Sequence, residues 1–381
     1  MLIGAIWGAV ARQGSGAGGQ VRIAMSLSTL NNPFFVGVRD GAQREAAAQG
    51  VELSVTDAGS DATRQANDVQ NAIARSSDVI IVNPVDSDAV VPSVSAASAA
   101  GIPVIALDRA PSGGVVVTTV ASDNVEGGRL AAQQLARVVG SGPVVVLEGT
   151  PGTSAARERS EGFDSEIAKF PQIQVVARQP ADFDRTKALN VMSNLLQAHP
   201  DVRGVFAAND EMALGAVKAL GGRAGTDVKV VGFDGTPQGL AAVEGGTINA
   251  DVAQQPEELG AEAIWQAVAA AGEEPPEESG APHKVPPCAW SPGTRDHRGS
   301  AAGRRWSAAP PAQGGQGPAR RGQGPAPFGD KRHRGRLRSR RTRVPLMEAL
   351  ADLVGGVGAP GPFRSDDQHA RRHDAGRARQ P

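Results

Sequence analysis

The chain has 381 residues, of which 40% are hydrophobic and 3% aromatic, enough for two domains of ordinary size with a buried core in each. Its single cysteine, Cys288, excludes an intrachain disulfide and any metal site made of clustered cysteines. The net charge of −1 conceals a split: residues 1–280 carry 19 Lys and Arg against 33 Asp and Glu, whereas residues 281–381 carry 20 against 7, so two different kinds of sequence are joined.

Residues 1–20 open with an apolar stretch that ends in Ala9-Val10-Ala11 and runs into a Gly, Ser and Gln linker. This is the pattern of an export signal without its basic n-region, so a truncated signal and linker are expected there. The apolar part is too short to span a membrane. Val21–Met25 has strand length, and Asn32-Pro33 then starts a helix, with an N-cap and a proline at the first helical position. In a parallel α/β sheet, ligands sit outside the carboxyl ends of the strands, where this turn falls. Phe34 and Phe35 suit the C–H faces of a pyranose there, and Asn32 offers a donor and an acceptor to hydroxyls. Taken alone, the segment fits equally an N-cap followed by two core phenylalanines.

Strand patterns follow at Val51–Val55, Asp78–Val82, Pro103–Leu107, Val115–Val120, Pro143–Leu147, Ile173–Ala177, Gly204–Ala207, Asp227–Val231 and Ile248–Val252. Helical patterns fill most gaps, for example Ala62–Arg75, Val125–Val138, Arg185–Leu196 and Glu257–Ala271. This βαβ repetition predicts parallel sheets with helices on both faces. Roughly ten strands exceed one comfortable doubly wound sheet, which predicts two lobes. Polar residues recur at the strand ends, as a cleft between lobes needs: Asp108-Arg109, Asn209-Asp210, Phe233-Asp234 and Gln254, with Arg159 and Phe183 on intervening segments. Any one pair also suits a turn or a salt bridge. Asp210 and Glu211 read as N-terminal charges on a helix, not as an acid/base pair.

Features of an enzyme are missing. Gly14–Gly19 precedes the first strand and reads as linker, GTPGTSA at 149–155 lacks a following GK[ST], and neither a nucleophile elbow nor a metal-ligand cluster occurs. Five of the six histidines (His283, His297, His333, His369 and His373) lie in the basic part; His199, before Pro200, reads as a turn residue at a helix end. In GAPHKVPPCAW, Pro286 and Pro287 remove ladder donors and argue against an internal strand. From Ser291 onward Gly, Pro, Ala and Arg dominate without periodicity, as an out-of-frame or read-through translation of GC-rich DNA would produce. The rival is an arginine-rich phosphate-binding arm around Lys331–Arg343, although Trp306, Phe328 and Phe363 lie too far apart to stack on bases. Val344–Val357 has the pattern of a short amphipathic helix.

The motifs STLNNPFF, NPVDSDAV, ALDR, ASDN, GTSAARERSEGF, QPADFDR, NDEMALGA and VVGFDGTP resemble those of the periplasmic ribose-binding proteins of bacterial ABC importers, over about residues 23–278. The resemblance implies an α/β fold of two Rossmann-like lobes joined by a hinge, the type I periplasmic binding protein architecture. The N-terminal lobe would be 21–122 plus 255–280, the C-terminal lobe 123–254, and 281–381 a disordered basic tail. It implies a monosaccharide, D-ribose foremost, gripped by Asn32, Asp108, Arg109, Arg159, Asn209, Asp234 and Gln254, with Phe34, Phe35 and Phe183 stacking on its faces. Hinge crossings would fall at Ser122-Asp123 and at Gln254-Gln255, and a third near 282–284. An inner-membrane ABC permease would be the partner of a periplasmic monomer, with no cofactor, metal or nucleic acid. D-allose, galactose, xylose and furanosyl sugars are alternative ligands of this fold. The effector domain of lac-repressor-type regulators shares it too, but such a regulator needs a helix-turn-helix of about sixty residues before the first strand, where twenty precede Val21.

Overall fold

The computed structural model describes residues 20–272 and 282–290. The expectations for the signal segment, the basic tail beyond 290 and its short helix lie outside the described residues. The chain runs β1 (Arg22–Leu27), α1 (Pro33–Gln49), β2 (Glu52–Asp57), α2 (Ala62–Ala74), β3 (Val79–Val82), α3 (Val91–Ala99), β4 (Val104–Leu107) and β5 (Thr118–Ser122). It continues through α4 (Asn124–Val139), β6 (Gly142–Glu148), α5 (Ser154–Ile167), β7 (Ile173–Pro180), α6 (Arg185–Ala198), β8 (Gly204–Ala207), α7 (Asp210–Leu220), β9 (Lys229–Asp234), α8 (Pro237–Glu244) and β10 (Ala250–Ala253). α9 (Pro256–Ala271), β11 (Pro282–Val285) and β12 (Cys288–Trp290) complete it.

Two six-stranded sheets result, ordered β2-β1-β3-β4-β5-β11 and β7-β6-β8-β9-β10-β12. All neighbours are parallel except β12, which runs antiparallel to β10. Each sheet therefore repeats the doubly wound order in which the second strand lies outside the first, leaving a crevice at the carboxyl ends where the winding reverses. Central strands such as β3 and β4 are apolar and buried on both faces, whereas edge strand β2 alternates between exposed and half-buried. Most helices start on a side-chain cap, namely Asn32, Asp61, Asp123, Thr153, Asp184, Asn209 and Thr236 for α1, α2 and α4 to α8. The chain leaves the first sheet after β5, since α4 packs on β8 and β9, and returns after β10, since α9 packs on α1 and β3.

Three expectations need correction. Residues 282–290 belong to the sheets and not to a disordered tail: His283 is in register with Val120 at one edge, and Ala289 with Val252 at the other. The third passage between the sheets falls at Pro286-Pro287, beyond 282–284. The prolines interrupt no ladder because they occupy the two-residue link between edge strands, where a missing N–H costs nothing. The expected strand at Val115–Val120 begins later, at Thr118; Val115 is 74% exposed in the preceding loop. Among the described residues no helix is long and apolar enough to cross a membrane.

Candidate functional site

The strand-end turns of both sheets bring nine of the ten expected sugar contacts around one narrow cavity, lined by Asn32, Phe34, Phe35, Asp108, Arg109, Arg159, Phe183, Asn209 and Asp234 together with Ala155. Gln254, the tenth, lies directly behind it and donates from Nε2 to Asp234 Oδ1 at 2.7 Å. From the first sheet come the turn after β1 and the end of β4. There Asp108 holds φ 63°, a left-handed conformation, with its N–H donating to Val120 O at 2.7 Å. From the second sheet come α5, the loop before α6, and the ends of β8, β9 and β10.

Phe34 and Phe35 are 3% and 2% exposed, meet edge to face at 5.1 Å, and also belong to the first lobe's core. The two readings left open for these rings are thus compatible: one side packs inward and the other faces the cavity. Asn32 Oδ1 is taken by the Phe34 N–H at 2.9 Å, so its amide nitrogen is the group with capacity to spare. Asn209 is similar, with Oδ1 capping α7 through the Met212 N–H and Nδ2 donating to Phe183 O at 3.3 Å.

Two carboxylates and two guanidinium groups face one another, so the site is close to neutral overall. Arg109 Nε lies 3.5 Å from Asp108 Oδ2, and Arg159 Nη1 lies 3.6 Å from Asp234 Oδ1. Backbone carbonyls hold both arginines, with Arg109 Nη1 on Pro84 O at 2.9 Å and Arg159 Nη1 on Ala208 O at 2.6 Å. Rings sandwich them as well: the Arg159 guanidinium is 3.8 Å from the Phe233 centroid, and that of Arg109 is 5.4 Å from Phe35 and 5.5 Å from Phe183. Burial pushes the Asp108 carboxyl above its usual range, against the pull of Arg109 and Arg159. Burial raises Asp234 further, opposed chiefly by Arg159, and lowers both arginines.

Asp108 Oδ1, Asp234 Oδ2 and Gln254 Oε1 are buried acceptors without a hydrogen-bond partner in the protein. Buried polar atoms are normally paired, so three such atoms around one cavity mark a surface made for a ligand rich in donors. Several supporting residues escaped the sequence reading. Asn83 donates to Leu107 O at 3.0 Å and approaches Asp108 Oδ2 at 3.4 Å, and Asn124 Oδ1 accepts from Arg159 Nε at 2.9 Å. Both follow apolar strands, the signal that did expose Asp108 and Asn209. The cavity mouth is bridged by Ser87 N–H to Gly152 O at 3.1 Å and Ala110 N–H to Ser154 Oγ at 2.9 Å. Where the chain passes between the sheets, Asp123 caps α4 and meets Lys284 Nζ at 3.4 Å, Gln255 Nε2 donates to Pro286 O at 3.1 Å, and Ser122 is buried at the end of β5. Asp210 begins α7, as read, but is wholly buried against Thr236 and does not sit on an exposed helix end.

Two parallel sheets of one topology, facing each other across a cavity of paired charges, amides and rings, define a two-lobed α/β binding protein. The chain belongs to the periplasmic binding protein family, whose domain model matches residues 23–275. It is 52% identical over 243 residues to the ribose import binding protein RbsB of Salmonella typhimurium, covering 64% of this chain and 82% of the relative. Against the RbsB of Bacillus subtilis it is 48% identical over 247 residues, 65% of this chain and 80% of that one. Among solved structures, an ABC transporter periplasmic solute binding protein from Actinobacillus succinogenes with bound D-allose superposes with a TM-score of 0.66 at 35% identity, covering 71% of this chain and 96% of the other.

Proposed function

We propose that this chain is a periplasmic receptor that captures D-ribose between its lobes and delivers it to an ABC permease, without catalysing a reaction. The observation that carries the reading is the set of partnerless buried acceptors, Asp108 Oδ1, Asp234 Oδ2 and Gln254 Oε1, set between aromatic rings and two anchored arginines. A neutral sugar matches this arrangement, because its hydroxyls donate to carboxylates, accept from guanidinium groups and offer C–H faces to rings. Ribose is favoured over other sugars by the two RbsB relatives at about half identity. In this reading Asn32, Arg109, Arg159 and Asn209 donate, Asp108, Asp234 and Gln254 accept, and Phe34, Phe35 and Phe183 stack. Closure would turn on Ser122, Asp123 and Gln255, and the closed face would be what the permease engages.

A second sugar is worth testing because the D-allose-bound structure shares 35% identity with this chain. Thermal unfolding of the purified protein with D-ribose, D-allose, D-galactose, D-xylose and D-glucose separates the two readings. Ribose is expected to give the largest rise in midpoint, in proportion to the logarithm of its concentration over Kd. A larger rise with allose would transfer the site to that sugar, and no shift with any of the five would remove sugar binding from the proposal.

A further inference from the structure

Behind the cleft lie two buried carboxyls, one next to Asn209 in the chain and the other on the strand paired with β9. Asp210 on α7 and Asp251 on β10 are both 0% exposed. Oxygens of both lie 2.9 Å from the point where a Cβ on Gly232 would stand, so they converge over a residue that has room for them only because it is glycine. With both carboxyls buried side by side, the neighbouring acid and the lack of solvent both favour a proton on the pair. Their remaining oxygens reach one backbone turn. Asp210 Oδ2 accepts from the Thr236 N–H at 2.8 Å and its hydroxyl at 2.6 Å, and Asp251 Oδ1 accepts from the Gly235 N–H at 3.2 Å. That turn follows Asp234, which is held at φ 122°, a conformation a non-glycine residue adopts only under constraint.

We propose that Asp251, acting with Asp210, is a positioning residue for the binding carboxylate: the pair clamps the Gly235-Thr236 backbone from below and so aims the constrained Asp234 side chain into the cleft. The inference rests on the reading of the cleft as a sugar site. Burial drives the Asp210 carboxyl well above its usual range, the neighbouring Asp251 adds to the rise, and the Thr236 hydrogen bonds oppose it. Charged groups that act on Asp210 include Asp234 from β9 and Arg159 from α5, and the start of α8 brings the neutral Thr236 cap and Gly239 against it. A carboxyl whose folded pKa is raised binds more protons in the native state, so its contribution is present at low pH and is lost as pH climbs through the folded value. Once the proton leaves, two carboxylates oppose each other and the turn they held is pushed apart.

The test is the D-ribose Kd by calorimetry in steps from about pH 5 to about pH 10 for the wild type and Asp251→Asn, which sets fixed amide hydrogens where the pair would hold a proton. Asp234 titrates in both proteins, so the difference between their profiles isolates the pair. The wild type is expected to lose affinity by about tenfold or more over this range, one pKa unit's worth, and D251N by less than about threefold. Superposable profiles overturn the proposal. If D251N fails to fold, D210N makes the same comparison. If neither folds, the sugar-free wild type decides: a thermal midpoint that does not fall over this pH range overturns the clamp. Absence of ribose binding by the wild type at pH 7 is failure of the sugar reading instead, and the sugar-free midpoints of wild type and D251N against pH still report whether the clamp exists.

Discussion

Asp234 concentrates the chemistry of the cleft in one side chain. One carboxylate oxygen is bound by Gln254 and faces Arg159, while the other has no partner in the protein. A hydrogen bond to a charged group contributes about 1.5–3 kcal/mol, so Asp234→Ala is expected to weaken ribose binding by at least about tenfold. Calorimetry decides, and an unchanged Kd would remove Asp234 from the site. Part of the cavity wall was legible because a polar group ends an apolar strand, as in Asp108-Arg109 and Phe233-Asp234, whereas Arg159 and Phe183 on intervening segments were reached only through the family resemblance. Asp251 was not legible. It sits inside β10, between apolar neighbours, and only the fold sets its carboxyl against that of Asp210. Asn83 and Asn124 carry the same strand-end signal, but each holds a cavity-lining side chain from behind, a distinction that spacing does not encode.

Between elements, glycines set how closely helices approach and hence where the binding groups stand. A Cβ on Gly128 of α4 would run into Arg159 O of α5, and one on Gly162 of α5 into Val125 O of α4. The two backbones therefore touch at Arg159, whose guanidinium lines the cavity. Gly128→Ala is expected to cost about 1–3 kcal/mol through overpacking and to weaken ribose binding as well, because Arg159 moves with its helix. Differential scanning calorimetry and titration read the two effects; a lowered midpoint with unchanged Kd would show that α5 is not displaced. Across the cavity mouth, Ser154→Ala removes the acceptor of the Ala110 N–H. Such a bond contributes about 0.5–1.5 kcal/mol, which predicts a Kd about twofold to tenfold higher and, because the bond joins the lobes, an unchanged hydrogen-exchange pattern within each lobe. The run of strands and helices was readable from apolar stretches and caps, since local physics decides them. The last two strands were not, because Pro286-Pro287 reads as a stop until one sees that the chain changes sheets there.

For the whole molecule, three passages link the lobes, and side-chain bonds tie them together: Lys284 with Asp123, and Gln255 with the carbonyl of Pro286. The hydrogen bonds that bridge the mouth and the narrow cavity behind it describe lobes drawn together. A ligand that contacts both lobes shifts the population toward this arrangement. Small-angle scattering is therefore expected to show a smaller radius of gyration with saturating ribose than without it, and a radius indifferent to ribose would count against closure. Segment 282–290 has a further consequence, for solubility. A strand edge left open presents unpaired N–H and C=O groups on which another chain can build. One stretch of nine residues lies along β5 with one half and β10 with the other, so it replaces two longer borders by short edge strands next to Pro286-Pro287. The opposite edges are β2, with Glu52 and Asp57, and β7, with Arg178 and Pro180, residue types that discourage strand addition. Losing this one stretch would leave two adhesive borders on a single molecule, enough for each copy to join two others into aggregates.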